Sequence, residues 1–442
     1  MIEGLRPYAE MVATGLPWLP SLPAHWDVRR NGRLFGERRE TGYPDLPVLE
    51  VSIRTGVRVR DFEGGTRKQE IADRSKYQRA VHGDIAYNMM RMWQGAVGIA
   101  PADGLVSPAY VVAKPFTEVD AAYYAYLFRT DGYKHEIDAF SRGIVPDRNR
   151  LYWEAFKQMP SAYPPLDEQR LIVRFLDWHG CMTARLIRAQ QGILKLVAER
   201  REAVTQEALN APETEHYRFG RVAEKLFREV DRGAASDFVT VGLFNRGRGI
   251  FHKEALSSAD LGDSTFSWIN AGDLIFSGQF AWEGAVALAS ERDAGRIASH
   301  RYHIVRGNPK IVDNTYLWCL FRSSYGEMLL NEHSRGAAGR NRPLNANYLM
   351  KEIIPVPSLG QQRRLKEIVD FERQIAQRIA DLVRRLQEFR TRLIADVVTG
   401  QLDVRALAAT LPAVTTAAPP GEPDGDAFDE DADALEDEEA YA

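Results

Sequence analysis

The chain has 442 residues, 45% of them hydrophobic, which predicts a globular protein with more than one domain. Its formal net charge of −4 hides an uneven distribution, because residues 414–442 hold 11 acids and no base, which leaves 57 bases against 50 acids in residues 1–413. The chain has only two cysteines, which argues against a disulfide framework. We find no basic and apolar leader, so we expect no secretory signal, and no run of 18 apolar residues, so we expect no membrane span. These features predict a cytoplasmic protein.

The first predicted region follows a proline-rich start. Residues 1–24 contain four prolines, which favour an extended arm over a packed element. Within residues 25–163, strands are predicted at 48–59 and 107–113, next to glycine and proline turns. A helix is predicted for 121–140, where aromatic and aliphatic side chains share one face. The region is therefore predicted to be a mixed α+β domain.

A long helix is predicted for residues 164–210. Two prolines are tolerated at its start, and Asp167 and Glu168 follow in the first turn, where the helix dipole favours acids. Apolar residues then repeat every seven positions for more than four heptads, which predicts a coiled-coil seam. The two predicted rows are Ile172, His179, Leu186 and Ile193, and Phe175, Met182, Ala189, Leu196 and Ala203.

The second globular region, residues 211–356, repeats the first. The Gly-Asp turn at 83–84 recurs at 272–273, an offset of 189, and the Ser-Arg-Gly turn at 141–143 recurs at 334–336, an offset of 193. Chance is a poor explanation for several matches in the same order at nearly constant spacing. The sequence therefore predicts a tandem duplication.

A second long helix is predicted for residues 357–405, and it begins with a similar Pro-Ser-Leu-Gly-Gln-Gln-Arg stretch. Its predicted rows are Leu365, Glu372, Ile379, Leu386 and Leu393, and Ile368, Ile375, Leu382, Phe389 and Asp396. Because a globular region lies between the two helices, we expect them to pair as an antiparallel coiled coil. Residues 406–442 are predicted to be an acidic disordered tail.

The sequence carries no catalytic signature that we would defend. It has no phosphate-binding loop, no dinucleotide fingerprint and no histidine or cysteine spacing typical of a metal site. We therefore expect a protein that is not an enzyme and has no cofactor or metal of its own.

Arginines mixed with amides and aromatic residues occur instead in the predicted loops of both regions. Arginine pairs with guanine and asparagine or glutamine with adenine, and arginine also binds phosphates. For each residue alone, a solvated loop position is the simpler interpretation, but the clusters occupy matching places in the two repeats. The candidate DNA-binding residues are Arg54, Arg58, Arg91, Trp93, Gln94, Arg142, Arg148, Asn149, Arg150, Arg246, Arg248, Gln279, Trp282, Arg335, Arg340, Asn341 and Arg342.

Together these stretches resemble the specificity subunit of type I restriction–modification systems. The resemblance covers nearly all of residues 20–405. It rests on Leu-Pro-Ala-His-Trp at 22–26, on the two Gly-Asp and Ser-Arg-Gly turns, on Pro-Pro-Leu-Asp-Glu-Gln-Arg at 164–170 and on Glu-Arg-Arg at 199–201. The second helix entry departs from the pattern at Gly360 and Gln361, and the acidic tail is not part of it.

The resemblance implies a non-catalytic subunit with two target recognition domains, each reading one half of a bipartite site in double-stranded DNA. The paired helices would set the spacer and dock two methyltransferase subunits, which bind S-adenosylmethionine and methylate adenine. Restriction subunits would complete a phage-defence complex. A rigid rod between two readers sets half-site spacing geometrically.

Other functions remain open at this point. One is an enzyme such as a self-contained methyltransferase or nuclease, which would require a cofactor loop or a carboxylate cluster. Another is a protein-interaction scaffold, which would bind its partners with little dependence on salt. A specificity module of a related phage-defence methyltransferase system is a further alternative.

Overall fold

The computed structural model describes residues 5–60, 74–143, 149–233, 237–336 and 342–412. The chain divides into two compact units. Unit 1 comprises Met1–Ala189 and Asp381–Ala442, and unit 2 comprises Gln190–Ala380. Each unit contains a mixed α+β region and parts of two long helices.

The elements of the first half follow in chain order. The strands are β1 Met11–Leu16, β2 Leu19–Pro23, β3 Asp27–Arg30, β4 Phe35–Glu37, β5 Leu49–Ser52, β6 Gly56–Val59, β7 Gln78–Ala80, β8 Ile85–Asn88, β9 Val97–Ile99, β10 Gly104–Val106, β11 Tyr110–Pro115 and β12 Pro160–Tyr163. The helices are α1 Ala121–Phe128, α2 Asp131–Phe140, α3 Trp153–Phe156 and α4 Leu166–Leu209.

The second half has the same order of elements around its main sheet. The strands are β13 Glu215–Arg218, β14 Ala223–Leu226, β15 Asp237–Phe244, β16 Gly249–Ser257, β17 Phe266–Trp268, β18 Leu274–Ser277, β19 Val286–Leu288, β20 Ile297–Ser299, β21 Tyr302–Gly307 and β22 Ile353–Val356. The helices are α5 Phe219–Val222, α6 Asn314–Phe321, α7 Ser324–Glu332, α8 Ala346–Leu349, α9 Leu359–Val398 and α10 Arg405–Thr410.

The sheet order confirms the duplication. Unit 1 has an antiparallel four-stranded sheet β4-β11-β8-β9, and unit 2 has the sheet β14-β21-β18-β19 in the same order. The strand before each long helix also pairs alike, β12 with β3 and β22 with β13. The two regions differ where β15 and β16 join a second four-stranded sheet, because the corresponding β5 and β6 form a hairpin of two strands. The prediction of two α+β regions, each followed by a long helix, is confirmed.

A buried carboxylate explains the repeated Gly-Asp turn. Asp84 is 3% exposed and accepts hydrogen bonds from Arg38 Nε at 2.6 Å and from the backbone N–H of Val81 at 2.8 Å. In unit 2, Asp273 is fully buried and accepts two hydrogen bonds from Arg228, at 2.7 and 3.1 Å. A buried charge is tolerated only when it is paired and hydrogen-bonded, so each aspartate needs its arginine.

A buried glutamine explains the repeated entry to the long helices. Gln169 Oε1 accepts a hydrogen bond from the Asp120 N–H at 2.8 Å, and its Nε2 donates to the Pro164 carbonyl at 2.8 Å. Gln362 makes the same bonds in unit 2, to the Asp313 N–H at 2.7 Å and to the Pro357 carbonyl at 2.8 Å. Because Asp120 and Asp313 cap α1 and α6, each glutamine joins a long helix to its own globular region.

The long helices run antiparallel inside each unit. In unit 1, His179 of α4 contacts Phe389 of α9 with ring centroids 5.8 Å apart. In unit 2, Arg201 Nε of α4 lies 2.8 Å from Glu372 Oε2 of α9. The beginning of α4 therefore meets the end of α9 in unit 1, and the end of α4 meets the beginning of α9 in unit 2, as predicted.

The predicted seam is correct in one row of α9 and at the start of α4, where Ile172 and Phe175 are buried, and it is displaced elsewhere. Leu365, Ile379 and Leu393 are buried as predicted, but Leu382 and Phe389 are exposed, and Val369 and Val397 are buried in the second row. In α4 the predicted Leu186, Ile193 and Leu196 are 41%, 41% and 65% exposed, whereas Ile187 and Val204 are buried. In α4, buried or half-buried side chains recur every seven residues, one position after the predicted rows, at 176, 183, 190, 197 and 204 and at 180, 187, 194, 201 and 208. The seven-residue repeat is therefore unbroken, and its predicted phase is one residue off.

Three other expectations need correction. The predicted extended arm contains the hairpin β1–β2, whose Leu19 and Leu22 pack into the unit 1 core. The predicted helix 121–140 is two helices, because Thr130 caps the second one with its side chain. The first residues of the predicted disordered tail belong to α10, whose Ala408 is buried, and residues 413–442 lie outside the described part of the chain.

The glutamine contacts lead to a stability prediction. Gln169→Ala or Gln362→Ala leaves a buried N–H and a buried carbonyl without their partner, so each variant should lose about 1–3 kcal/mol of unfolding free energy. Urea denaturation measures the loss, and hydrogen exchange at Asp120 or Asp313 locates it. Gln191→Ala, at an exposed position of α4, is the matched control and should stay within about 0.5 kcal/mol. Equal stability of all three variants would contradict the role of these glutamines.

Candidate nucleic-acid interface

In unit 1, the predicted loop residues gather beside the turn after β8. Arg142 and Arg150 form an antiparallel bridge with two backbone hydrogen bonds of 3.0 Å, which closes the loop between them. The next residue of that segment, Leu151, donates its N–H to the Met89 carbonyl at 2.9 Å. Arg142 and Arg150 therefore lie near the turn that carries the candidates Arg91, Trp93 and Gln94. Trp93 is held in place by a hydrogen bond from Nε1 to the Met90 carbonyl at 3.0 Å.

In the equivalent group of unit 2, an arginine stacks on the tryptophan. The Arg342 guanidinium lies over the Trp282 ring, 4.7 Å from its centroid, and donates to Asn331 Oδ1 at 2.7 Å. Trp282 Nε1 donates to the Gln279 carbonyl at 3.1 Å, as Trp93 does in unit 1. Arg335 is exposed, and its Nε donates to the Glu332 carbonyl at 3.1 Å. Four candidate DNA-binding residues of unit 2 thus lie close together.

The remaining candidates lie in hairpin turns with different contacts. Arg58 on β6 is bound by Glu50 on the facing strand β5. Arg248 lies over the Phe244 ring, 5.2 Å from its centroid. Arg246 is exposed and is the one non-glycine residue with positive φ, 57°, in the described chain. Arg54 is also exposed, at the turn between β5 and β6.

Sequence reasoning missed the arginines that hold these turns. Arg129, at the end of α1, donates to the carbonyls of Ile53 and Arg54 at 2.5 and 2.8 Å. Its counterpart Arg322, at the end of α6, donates to the Arg246 carbonyl at 3.4 Å. Burial lowers the pKa of Arg322 from its ordinary value. The signal was present, because Arg129 and Arg322 share the offset of 193, but sequence alone did not show what they bind.

Each unit also has a surface cavity, at an equivalent place beside its main sheet. The unit 1 cavity has a volume of about 930 Å³, and its rim includes Arg142 and Arg150. The unit 2 cavity has a volume of about 630 Å³, and its rim includes Arg335. Further unit 1 lining residues that the sequence did not single out are Glu37, Arg39, Lys76, Gln78, Tyr110 and Tyr152, and those of unit 2 are Lys225, His303, His333, Asn345, Asn347 and Tyr348.

The charges of the two cavities differ. In unit 1, Glu37 pairs with Arg39 Nε at 2.8 Å, and this pair raises the pKa of Arg39. In unit 2, Lys225 Nζ donates to Asn347 Oδ1 at 2.9 Å. Burial, together with the nearby Lys225 charge, lowers the pKa of His303, so this imidazole is held in its neutral form. The cavities share a rim arginine and differ in the polarity of their inner groups.

Three of the candidate residues lie outside the part of the chain that the structure describes. They are Arg148, Arg340 and Asn341. Asn149 is described, and its Nδ2 donates to Asp138 Oδ1 at 3.0 Å. Among the described residues, no group of three or more histidine, cysteine or acidic side chains is placed to hold a metal ion. The described helices include none with both the length and the apolar character to cross a bilayer.

The contacts of Arg129 lead to a prediction about the hairpin turn. Arg129→Ala removes two hydrogen bonds from the turn at Ile53 and Arg54, so backbone amides of 52–57 should exchange with solvent faster. Hydrogen–deuterium exchange with mass spectrometry measures the change. Arg33→Ala, at an exposed position of unit 1, is the control and should leave the exchange of this turn unchanged. Unchanged exchange in Arg129→Ala would show that other contacts hold the turn.

Comparison with known proteins gives structural matches only. No protein-family model matches the chain, and no curated protein matches its sequence. A chain from a study of complex assembly and conformational transition of the type I R-M system matches with a TM-score of 0.58 and 15% identity, over 85% of this chain and 98% of that chain.

Two other solved structures match with lower TM-scores. The HsdS subunit from Thermoanaerobacter tengcongensis gives a TM-score of 0.45 at 17% identity, over 86% of this chain and 98% of that chain. The type I restriction-modification system S subunit from M. genitalium gives 0.41 at 14% identity, over 84% and 96%. The shared fold rests on the first match: the chain has the fold of a chain of the type I R-M system.

Proposed function

We propose that this chain is a non-catalytic specificity subunit of a type I restriction–modification complex, and that each unit reads one half of a bipartite DNA site. The observation that carries the proposal is the pair of equivalent loop groups, rich in arginine and aromatic side chains, on two copies of one fold. Arg142 and Arg335 occupy the same position in the two copies. The resemblance of the sequence and the shared fold support the same function.

The domain boundaries follow from this proposal. Residues 25–163 and 211–356 are the two target recognition domains. The spacer helices are α4 (Leu166–Leu209) and α9 (Leu359–Val398), the second of which ends before the predicted residue 405. The glutamine at the start of each helix ties it to its own domain, so the helices are suited to fix the distance between the readers. The hairpin β1–β2 and Ala408 of α10 pack into the unit 1 core and so belong with the first domain.

The partners are proposed on the resemblance. Two methyltransferase subunits, which carry S-adenosylmethionine, would dock on the helices, and restriction subunits would join them in the cytoplasm. Exposed apolar side chains on the long helices, including Leu196, Phe371 and Phe389, fit a surface that a protein partner covers. The chain itself would bind no cofactor.

A protein-interaction scaffold is the second candidate, since the same exposed helix residues suit it. Salt dependence separates the two functions. A DNA reader that neutralises several phosphates loses affinity steeply as salt rises, whereas a scaffold with an apolar interface does not. A specificity module of a related phage-defence methyltransferase system would share the DNA-reading behaviour and differ in its partners.

The spacer role is tested by shortening both helices by one turn. Deleting 193–196 in α4 together with 376–379 in α9 removes about 6 Å of rod, which corresponds to roughly two base pairs of DNA. The chain is co-expressed with a methyltransferase subunit encoded beside it, and adenine methylation is mapped across the host genome. The parent should give a split motif, and the variant should give the same half-sites with a spacer about two base pairs shorter.

The matched control replaces the same eight residues with alanine and keeps the helix length, so the spacer should not change. Altered half-sites, or an unchanged spacer in the shortened variant, would refute the ruler. A complex that forms and binds S-adenosylmethionine but methylates no split motif would sink the proposed function.

A substitution of Arg91 tests whether the two units read separate half-sites. Arg91 is exposed, and the equivalent residue in unit 2 is Phe280. Arg91→Ala should weaken recognition at one half-site, by about 1–3 kcal/mol if the side chain contacts a base. Competition binding with duplexes mutated in either half measures it, and Arg33→Ala is the control. Equal losses at both half-sites would count against separate readers.

A further inference from the structure

We propose that the unit 1 cavity is a nucleotide-binding site that takes one unstacked nucleotide of its half-site, with the base against Tyr152, and that the equivalent cavity of unit 2 does not. This inference rests on the proposed DNA-reading function and assigns a ligand to a site that the function alone does not require. It follows from a comparison of the two cavities position by position.

The strand register shows which positions correspond. Ala113 of β11 pairs with Glu37 of β4 and with Ile85 of β8. In unit 2, Val305 of β21 pairs with Lys225 of β14 and with Leu274 of β18. Glu37 and Lys225 therefore hold the same place in the two sheets.

The helix beside each cavity gives the same correspondence. The short helices α3 and α8 begin at Trp153 and Ala346, an offset of 193. The residues just before them, Tyr152 and Asn345, are therefore equivalent, and both line a cavity. By the same offset, Arg150 corresponds to Pro343.

The unit 1 cavity has the composition that an unstacked nucleotide requires. Aromatic side chains stack on bases whatever their sequence, and guanidinium groups bind phosphates. Tyr110, Tyr152 and Trp153 supply the first kind of group, and Arg142 and Arg150 supply the second at the closed base of their loop. A volume of about 930 Å³ lies within the usual range of ligand sites, about 300–1,000 Å³.

The caps of α3 and α8 differ at the position of Tyr152. In unit 2, Asn345 Oδ1 accepts a hydrogen bond from the Tyr348 N–H at 3.2 Å and so caps α8. In unit 1, the same position is Tyr152, and no described residue caps α3 with its side chain. The tyrosine is also 47% exposed. Unit 1 therefore lacks a cap hydrogen bond and keeps a large exposed ring at the cavity edge, a combination that local stability does not favour.

The position of Glu37 argues that the base enters the cavity. Its carboxylate is 20% exposed and lines the same cavity as the exposed Tyr152 ring. A base held in the duplex stack cannot reach a recessed group, whereas an extruded base is read by hydrogen bonds inside a pocket. A carboxylate accepts from a base amino group, such as cytosine N4.

The unit 2 cavity lacks these features at the matching positions. Pro343 stands where Arg150 does, Asn345 where Tyr152 does, and Ala346 where Trp153 does. Its volume is also smaller, about 630 Å³. Tyr348 also lines this cavity, but it lies three residues after Asn345, and Lys351 Nζ lies over its face, 4.7 Å from the ring centroid. The chain thus contains its own comparison site, with the same framework and without the aromatic and arginine groups at the positions of Tyr152, Trp153 and Arg150.

The experiment uses the complex of the full chain with its methyltransferase subunit and a duplex that carries the mapped site. A fluorescent base analogue, 2-aminopurine or pyrrolocytosine, replaces each base in turn, and its emission rises when the analogue leaves the stack. We expect the emission to rise at one position of the unit 1 half-site other than the methylated adenine. We expect no such rise at any corresponding position of the unit 2 half-site.

The variants identify the side chain responsible. Tyr152→Ala should abolish this rise and weaken affinity for the site by about 5- to 150-fold, the loss expected for one base stacked on an aromatic ring. Tyr152→Phe should keep both, because it keeps the ring. Asn345→Ala is the matched control in unit 2 and should leave the unit 1 signal unchanged.

The outcomes separate the two levels of the proposal. Tight specific binding with no rise at any position outside the methylated adenines overturns the nucleotide site and leaves the DNA-reading function standing. A rise that persists in Tyr152→Ala also overturns it. Failure to bind any split site specifically removes the proposed function, and the nucleotide site with it.

Discussion

The buried glutamine at the start of each long helix is the contact on which the structure depends. Gln169 and Gln362 are 0% and 1% exposed, and they join the helix entries to the caps of α1 and α6, respectively. A buried amide needs all its partners, so the contact fixes both distance and orientation. The loop groups and the cavity of each unit are therefore held in a defined position relative to the beginning of one long helix.

The two copies share one framework and differ in some of their side-chain contacts. The aspartates Asp84 and Asp273 hold equivalent positions, and each pairs with an arginine, Arg38 or Arg228. The helix contacts differ, because Glu372 pairs with Arg201 in unit 2, while the matching residue in unit 1 is His179, whose pKa is lowered by burial and by Arg390. An ion pair in one unit and a neutral histidine in the other distinguish two otherwise similar helix contacts.

Much of the fold was accessible from sequence because it depends on strong local patterns. The duplication, the starts of α4 and α9 and their antiparallel direction were all predicted correctly. The phase of the seam in α4 was not, since apolar residues such as Leu186 and Ile187 occupy neighbouring positions and counting by sevens cannot tell which of them faces the other helix. The hairpin β1–β2 was missed for a similar reason, because prolines suggest an extended chain but do not show that Leu19 and Leu22 are buried.

The sequence by itself determined which residue types recur and in what order, and this was enough to place arginine clusters in both copies. Only the tertiary structure decided their roles. It separated Arg129 and Arg322, which bind backbone carbonyls, from Arg142 and Arg335, which border cavities. It also showed that Tyr152 and Asn345 are equivalent, and that one is an exposed ring and the other a helix cap. The physical reason is that a side chain's role depends on distances of a few ångströms to residues far away in the chain, and these distances exist only after folding.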